Sequence, residues 1–224
     1  MAAMPSGFES PLEHHLFLNK NAAMKLVIAT RNPHKLEEIH AIFDFQGLEV
    51  CSAFDFPEIP DVVEDGSTLE ANAVKKAVEI CQATGLPALA DDSGLEVDAL
   101  NGEPGVYSAR WSGEGCTYHD NNVKLLRELS GKENRRAQFR TVIALALPGE
   151  KPLTVEGSVQ GMIIGELRGE QGFGYDPLFV PDGYNQTFAQ LPAEVKNKIS
   201  HRARALNAAS NIWKHLLALP AAEK

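Results

Sequence analysis

Cysteine is scarce and scattered in this chain. The three present, Cys51, Cys81 and Cys116, are odd in number, far apart and never in a C-x-x-C pair. That argues against a disulfide scaffold or a cysteine-ligated metal cage and points to reduced thiols in a cytosolic protein. Long apolar runs are also missing: nothing approaches the ~20 residues needed to cross a bilayer. Nor is there an excess of positive charge. The formal net charge of -9 speaks against a nucleic acid polymer or an anionic membrane as the main partner, but not against a small anion held by a local basic cluster. Internal repeats, flexible linkers and the phosphate-loop pattern G-x-x-x-x-G-K-[ST] are absent as well.

What is there reads as an ordinary globular chain. Its 224 residues, 44% of them hydrophobic and 23% charged, suffice for one large domain or two small lobes with a sizeable core. Residues 1–23 have no early basic stretch and no long apolar segment, so they do not resemble a secretory signal. They are expected to be a vector-derived or mobile extension, with a single domain over 24–224 starting at Met24. The adjacent His14 and His15 need no metal to explain them.

From there, "KLVIAT" reads as a buried strand. The helix after it has Asn32 as N-cap, Pro33 at its first position and Gly47 past its end. "LEVCS" is a second strand, and 53–66 an acidic, proline-containing loop. A helix then opens with a capping box from Ser67 to Glu70 and closes at Gly85. "PALA" and "LEVDAL" read as strands on either side of a turn at Asp91-Asp92. A long loop covers 101–116, and a helix starts near Thr117. Two long paired strands, "AQFRTVIALALP" and "LTVEGSVQGMII", are joined by a short hairpin; strand "LFVP" follows. The helical C-terminal region, 192–219, is expected to break near Ser200 and to bury Ile199, Leu206, Ile212, Trp213 and Leu216. Early strand–helix alternation with a late antiparallel hairpin predicts an α/β fold built on a central mixed sheet flanked by helices.

Four stretches can carry chemistry. At "TRNPHK" the N-terminus of the first helix favours an anion, with Thr30 and Asn32 as donors and Lys35 as a charge one turn in. Glu64, Asp91 and Asp92 offer the carboxylate oxygens that a hard cation such as Mg²⁺ prefers; Asp65 reads as a surface charge. In "QGFGYDP" the glycines flanking Phe173 allow close backbone approach, and the aromatic rings suit a planar base. In "KNKISHRARAL" Ser200 caps a helix whose first turn holds His201 and Arg202. Cations there oppose the helix dipole, a conflict that hints at function; Arg204 fits an exposed basic face.

Together, T-x-N-x-x-K (30–35), "ADDSGL" (90–95), "PGVYSARWSG" (104–113), "GFGYDP" (172–177) and "ISHR" (199–202) resemble the Ham1/RdgB family of non-canonical purine nucleoside triphosphate pyrophosphatases. The five motifs lie in order, and the likeness runs from Met24 to about Leu219. The resemblance implies two lobes around a substrate cleft, a homodimer, a Mg²⁺ requirement and hydrolysis of ITP, dITP and XTP to monophosphate and pyrophosphate. It implies that Asp92 is proton acceptor and metal contact, with Glu64 as the second metal-side carboxylate. A carboxylate that touches metal is a weak base, so Asp91 or Glu64 can share that role. Thr30, Asn32 and Lys35 would hold phosphates, Lys35 also offsetting charge in the reaction. Ser93, Phe173, Gly174, Tyr175, Asp176, Lys196, His201 and Arg202 would hold the nucleotide. Two positions depart from the family pattern: Ala71 stands where a glutamate is usual, and Arg31 where a glycine often follows the first threonine, so neither Glu70 nor Arg31 is placed in the site. The competing readings are a non-catalytic nucleotide sensor and a Maf-type pyrophosphatase acting on modified pyrimidine triphosphates.

Overall fold

The computed structural model describes residues 24–43 and 48–217; the expected extension 1–23 and the helix stop at Gly47 lie outside them. A single sheet organises the described chain, in strand order β2-β1-β3-β4-β5-β6. Its strands are β1 (Met24–Ile28), β2 (Leu48–Ser52), β3 (Ala88–Val97), β4 (Arg136–Ala146), β5 (Leu153–Ile163) and β6 (Phe179–Pro181). β1 runs parallel to β2 and β3, whereas β3, β4, β5 and β6 pair antiparallel in succession. The sheet is mixed and flanked by helices, as the alternation of elements predicts. Among the described residues no helix is long and apolar enough to cross a membrane.

Local chemistry explains most element boundaries. α1 (Pro33–Ile42) starts where the Asn32 side chain accepts from the N–H groups of His34 and Lys35. α2 (Leu69–Thr84) ends at Gly85, whose φ of 69° is free of strain only for glycine. Its start corrects the expected Ser67–Glu70 box: the cap is Thr68, accepting from Ala71 N–H, one residue later. α3 (Tyr118–Glu128) has a true capping box between Thr117 and Asp120. α4 (Ala193–Ile199) and α5 (His201–Leu217) meet at Ser200, whose Oγ accepts from Ala203 N–H and restarts the helix.

The largest correction concerns Asp91 and Asp92. No turn separates two strands there: β3 runs straight through both, paired with β4 from Ala88↔Ala146 to Val97↔Ala137. Period-two alternation then sends the acids to opposite faces. Asp91 follows Leu89 towards α1 and α5, where Leu26, Ile39, Leu206, Ala209 and Trp213 form one core cluster. Asp92 follows Ala88 and Ala90 towards α2, whose Leu69, Ala73, Ala77 and Ile80 form another. A third cluster joins the far ends of β3, β4 and β5 to Leu125, Phe179 and Phe188. In the C-terminal stripe Leu206 and Trp213 are buried as expected, but Ile212 is 53% exposed; α5 rolls to present Ala205 and Ala209 instead.

α5 sits unusually close to the sheet. A Cβ on Gly157 of β5 would lie 2.4 Å from the His201 carbonyl oxygen and 2.5 Å from the Ala205 nitrogen. Both are backbone atoms that cannot swing away. Gly157→Ala is therefore expected to destabilise the protein by about 1–3 kcal/mol, the usual cost of overpacking, and to displace the helix start that carries His201 and Arg202. Urea unfolding, read beside nucleotide binding, checks both effects.

Candidate active site

One cavity of about 430 Å³ gathers nearly all the singled-out residues, a size in the range of small-molecule sites. Thr30, Asn32 and Lys35 line it from the β1–α1 junction, Glu64 from the loop before α2, and Asp92 and Ser93 from β3. Phe173, Gly174, Tyr175 and Asp176 close it from the loop before β6, and Lys196, His201 and Arg202 from α4 and α5. Asp91 sits just behind this lining, 1% exposed.

The two β3 carboxylates have opposite environments. Asp91 Oδ2 accepts from Arg202 Nε and Nη2 at 3.2 and 3.0 Å and from Ser93 Oγ at 3.1 Å, and lies 3.1 Å from Lys35 Nζ. Its second oxygen is buried without a partner. Burial alone would raise its pKa, but Lys35, Arg202 and Lys76 outweigh that and hold it far below the ordinary carboxylate range. Asp92 accepts from Asn72 Nδ2 at 3.2 Å and lies 3.4 Å from Lys76 Nζ. Here burial wins over Lys76 and Lys35, so the Asp92 pKa is raised.

Lys76, Asn72 and Glu38 are the residues that sequence reasoning missed. Lys76 Nζ donates to Glu64 Oε1 and to the Asp91 carbonyl, each at 2.6 Å. Burial pulls its pKa down, yet Asp92, Asp91 and Glu64 together raise it. Asn72 both donates to Asp92 and accepts from Gly66 N–H at 2.8 Å. Glu38 pairs with Lys196 Nζ at 2.7 Å and with Arg202 Nη1. The available signal was helical spacing: Asn72 and Lys76 are four residues apart on α2 and meet Asp92, and Lys35 and Glu38 are three apart on α1, Lys35 meeting Asp91 and Glu38 the Arg202 that binds it.

The phosphate-side geometry also differs in detail from expectation. Asn32 Oδ1 already caps the N–H groups of His34 and Lys35 at 3.0 and 3.3 Å, so those donors of the α1 terminus are occupied. Asn32 Nδ2, which bonds Tyr118 Oη at 3.3 Å, the Thr30 hydroxyl and the Lys35 ammonium remain to meet an anion. Desolvation lowers the Lys35 pKa, with Asp91 opposing it.

On the opposite wall Phe173 lies between cations and rings. Lys196 Nζ is 5.0 Å and the Arg202 guanidinium 5.7 Å from its centroid, and His34 stacks on it at 5.3 Å with 14° between planes. Gly172 and Gly174 take φ of 72° and 63°, and Asp176 Oδ2 fastens the loop by accepting from Phe173 N–H at 2.9 Å and Lys196 Nζ at 2.5 Å. Tyr175 is a core residue whose hydroxyl donates to the Ser108 carbonyl at 2.9 Å, so only its ring edge and backbone serve the cavity. Four of the five Arg202 N–H groups are engaged by Asp91, Ser93 and Glu38.

The carboxylates of the cavity bear on whether a metal can be held. Among the described residues no three or more His, Cys, Asp or Glu side chains form a metal cage. Mg²⁺ does not need one: it takes one or two carboxylates and completes its octahedron with water and phosphate oxygens. Glu64 and Asp92 supply hard oxygens, and the one Lys76 ammonium that reaches both leaves two carboxylates sharing a single positive charge. The donor set fits.

The chain matches the Ham1 family over residues 26–212. It is 55% identical over 184 residues to a Geobacter sulfurreducens protein named dITP/XTP pyrophosphatase, covering 81% of this chain and 92% of that one. A Desulfotalea psychrophila protein of the same name is 52% identical over 181 residues, 81% of each chain. In three dimensions the chain is similar to the Ham1 protein of Staphylococcus aureus, with TM-score 0.78 and 41% identity over 86% of this chain and 99% of the other.

His201 yields a pH signature of the folded site. It stacks on Phe139 at 4.8 Å, its Nδ1 is buried without a partner, and burial, then Arg202 and Lys196, push its pKa well below 6.5. The folded state thus holds a neutral imidazole while the unfolded chain takes up a proton below about pH 6.5. Stability is therefore expected to fall as pH drops from 6.5 to 5.5, with a slope from this residue approaching about 1.4 kcal/mol per pH unit. Denaturant titrations of wild type and His201→Asn across that range check it; the variant should lose the slope.

Proposed function

The chain belongs to the Ham1 family, and from that membership we propose that it hydrolyses dITP, ITP and XTP to the monophosphate and pyrophosphate. The observation that supports this best is the cavity's division: cations and hydroxyls at the β1–α1 junction, carboxylates on β3 and the 53–66 loop, and an aromatic, cation-lined wall at Phe173. Those are the needs of a polyphosphate, its metal and a planar base, in that order.

In this reading Thr30, Asn32 and Lys35 hold the phosphates. Asp92 orients and deprotonates the attacking water: it is the less compensated of the two β3 acids, reached by Lys76 alone where Asp91 is held by both Lys35 and Arg202. General-base help of this kind is typically worth ~10²–10⁴ in rate. Asp91, held ionised by Lys35 and Arg202, is a poor proton acceptor; it fixes those two cations in place. Lys76 steadies Asp92 and Glu64 against one another. Glu64 and Asp92 would hold Mg²⁺, which when bound offsets charge on the phosphate oxygens and on departing pyrophosphate. Phe173, with the cations and the His34 ring packed on it, walls the base pocket, and neutral His201 with the remaining Arg202 N–H reads the base edge. Ser93, Gly174, Tyr175, Asp176 and Lys196 shape that pocket. A cytoplasmic homodimer completes the proposal, and light scattering tests the dimer.

The assay is direct: a panel of nucleoside triphosphates with Mg²⁺, products separated. Release of pyrophosphate and monophosphate from ITP and XTP carries the proposal; tight binding without products makes the chain a sensor, and turnover confined to pyrimidines makes it Maf-like. ATP bears an amino group where ITP bears a keto oxygen, so kcat/KM for ATP is expected to be lower by ~10⁴, as for sites that read hydrogen bonds.

Asp92→Asn keeps the shape and the Asn72 contact but removes the base. It is expected to fold, to bind nucleotide and to lose about 10²-fold or more in kcat. Activity within a factor of about three would move the base role elsewhere.

A further inference from the structure

The 53–66 loop carries Glu64 into the cavity with little internal support. Its own backbone bonds are short turns, Phe56 N–H to Ala53 O, Ile59 N–H to Phe56 O and Asp65 N–H to Val63 O, and Val63 is 68% exposed. Side chains from elsewhere supply the rest. Arg110 donates to the Glu64 carbonyl at 2.8 Å, and Lys75 pairs with Asp65 at 2.6 Å. At the other end Arg31 donates to the Phe56 and Ile59 carbonyls at 3.2 and 2.6 Å and pairs with Asp61. Arg31 stands in the chain between Thr30 and Asn32, and both it and Asp61 line the cavity.

We infer that Arg31 is a positioning residue that ties the phosphate-holding junction to the loop wall bearing Glu64, so that metal-side and phosphate-side groups keep one spacing. The tie uses the reach of the planar fork: Nη2 donates to both backbone carbonyls while Nη1, on the other arm, pairs with Asp61, a span that the single nitrogen of a shorter lysine does not cover. Asp61 contributes little to it, being 82% exposed on its side chain and so screened by solvent. The inference rests on Glu64 as a metal-side carboxylate.

Three variants test it: Arg31→Ala, Arg31→Lys and, as the control, Glu64→Gln. One readout is the Mg²⁺ concentration for half-maximal activity, set against KM for ITP at saturating Mg²⁺. The other uses metal-free protein: the rate at which glutamyl endopeptidase cuts after Glu58. Arg31→Ala is expected to raise the half-saturating Mg²⁺ about 10-fold, as losses of groups orienting metal ligands do, with KM for ITP within about twofold. Cutting at Glu58 should accelerate in parallel. Arg31→Lys should resemble Arg31→Ala, and it carries the test alone if the alanine variant does not fold. Rescue by lysine, or a raised KM with unchanged Mg²⁺ dependence, would make Arg31 a phosphate ligand and overturn the inference; wild-type cutting and Mg²⁺ dependence would overturn it too. If Glu64→Gln leaves Mg²⁺ dependence unchanged, the reading of Glu64 fails instead, and the proteolysis rates still decide whether Arg31 holds the loop.

Discussion

Two carboxylates in the middle of a fully paired strand are the constraint around which the rest is arranged. An isolated ionised carboxylate in an apolar interior is prohibitively unfavourable, and removing one partner from a buried ion pair typically costs ~3–5 kcal/mol. Asp91 and Asp92 are 1% and 5% exposed, so β3 can exist only if cations reach it from both faces. Lys35 and Arg202 arrive from α1 and α5, and Lys76 from α2. The helices are thus held to the sheet by two kinds of force: apolar packing along most of their length, and charge compensation at the one level where the strand turns polar. That level is the floor of the cleft.

The compensation spreads beyond the first contacts. Arg202 needs Glu38 as well as Asp91, and Lys196 shares Glu38 while binding Asp176. Asp176 in turn fastens the loop that presents Phe173. A chain of alternating charges therefore runs from β3 through α5, α1 and α4 to the aromatic wall. Each link is weak evidence for stability taken singly, because desolvation offsets most of the Coulombic gain. Their joint effect is geometric: the wall for the base and the floor for the phosphates cannot shift independently without stranding a buried charge.

How much of this could be read from residues alone follows from the range of each force. Caps act over three or four residues, so Asn32-Pro33, Gly85 and Thr117 marked three helix ends correctly, and the mixed sheet followed from element order. The Ser67 start failed by one residue because Thr68 offers the same hydroxyl chemistry next door. The turn at Asp91-Asp92 failed for a deeper reason. Local propensity favours a turn at Asp-Ser-Gly, and what overrides it lies far off: the β4 ladder around Val142 and Ile143, and cations 16 to 111 residues away. Lys76 and Glu38 were missed on the same grounds, since a lysine and a glutamate on amphipathic helices look like solvated surface until their partners are placed, Asp92 and Glu64 for the one and Arg202 and Lys196 for the other. The site residues that carried motif character, such as Phe173 between two glycines and the His201-Arg202 helix start, were legible because each breaks a local rule.

The period-two geometry of β3 also separates two tasks that adjacent acids might otherwise blur. Asp91, on the α1/α5 face, is surrounded by permanent cations and stays ionised; it has charge but no basicity to offer. Asp92, on the α2 face, meets a single lysine that it shares with Glu64, and burial leaves its pKa raised. A proton acceptor must have an unmet affinity for protons, and a cation ligand an unmet need for charge; under-compensation supplies both to Asp92 and neither to Asp91. Swapping the order of strand residues by one register step would exchange the two environments and with them the roles. The alternation of the strand, more than the identity of the residues, decides which carboxylate is left to do chemistry.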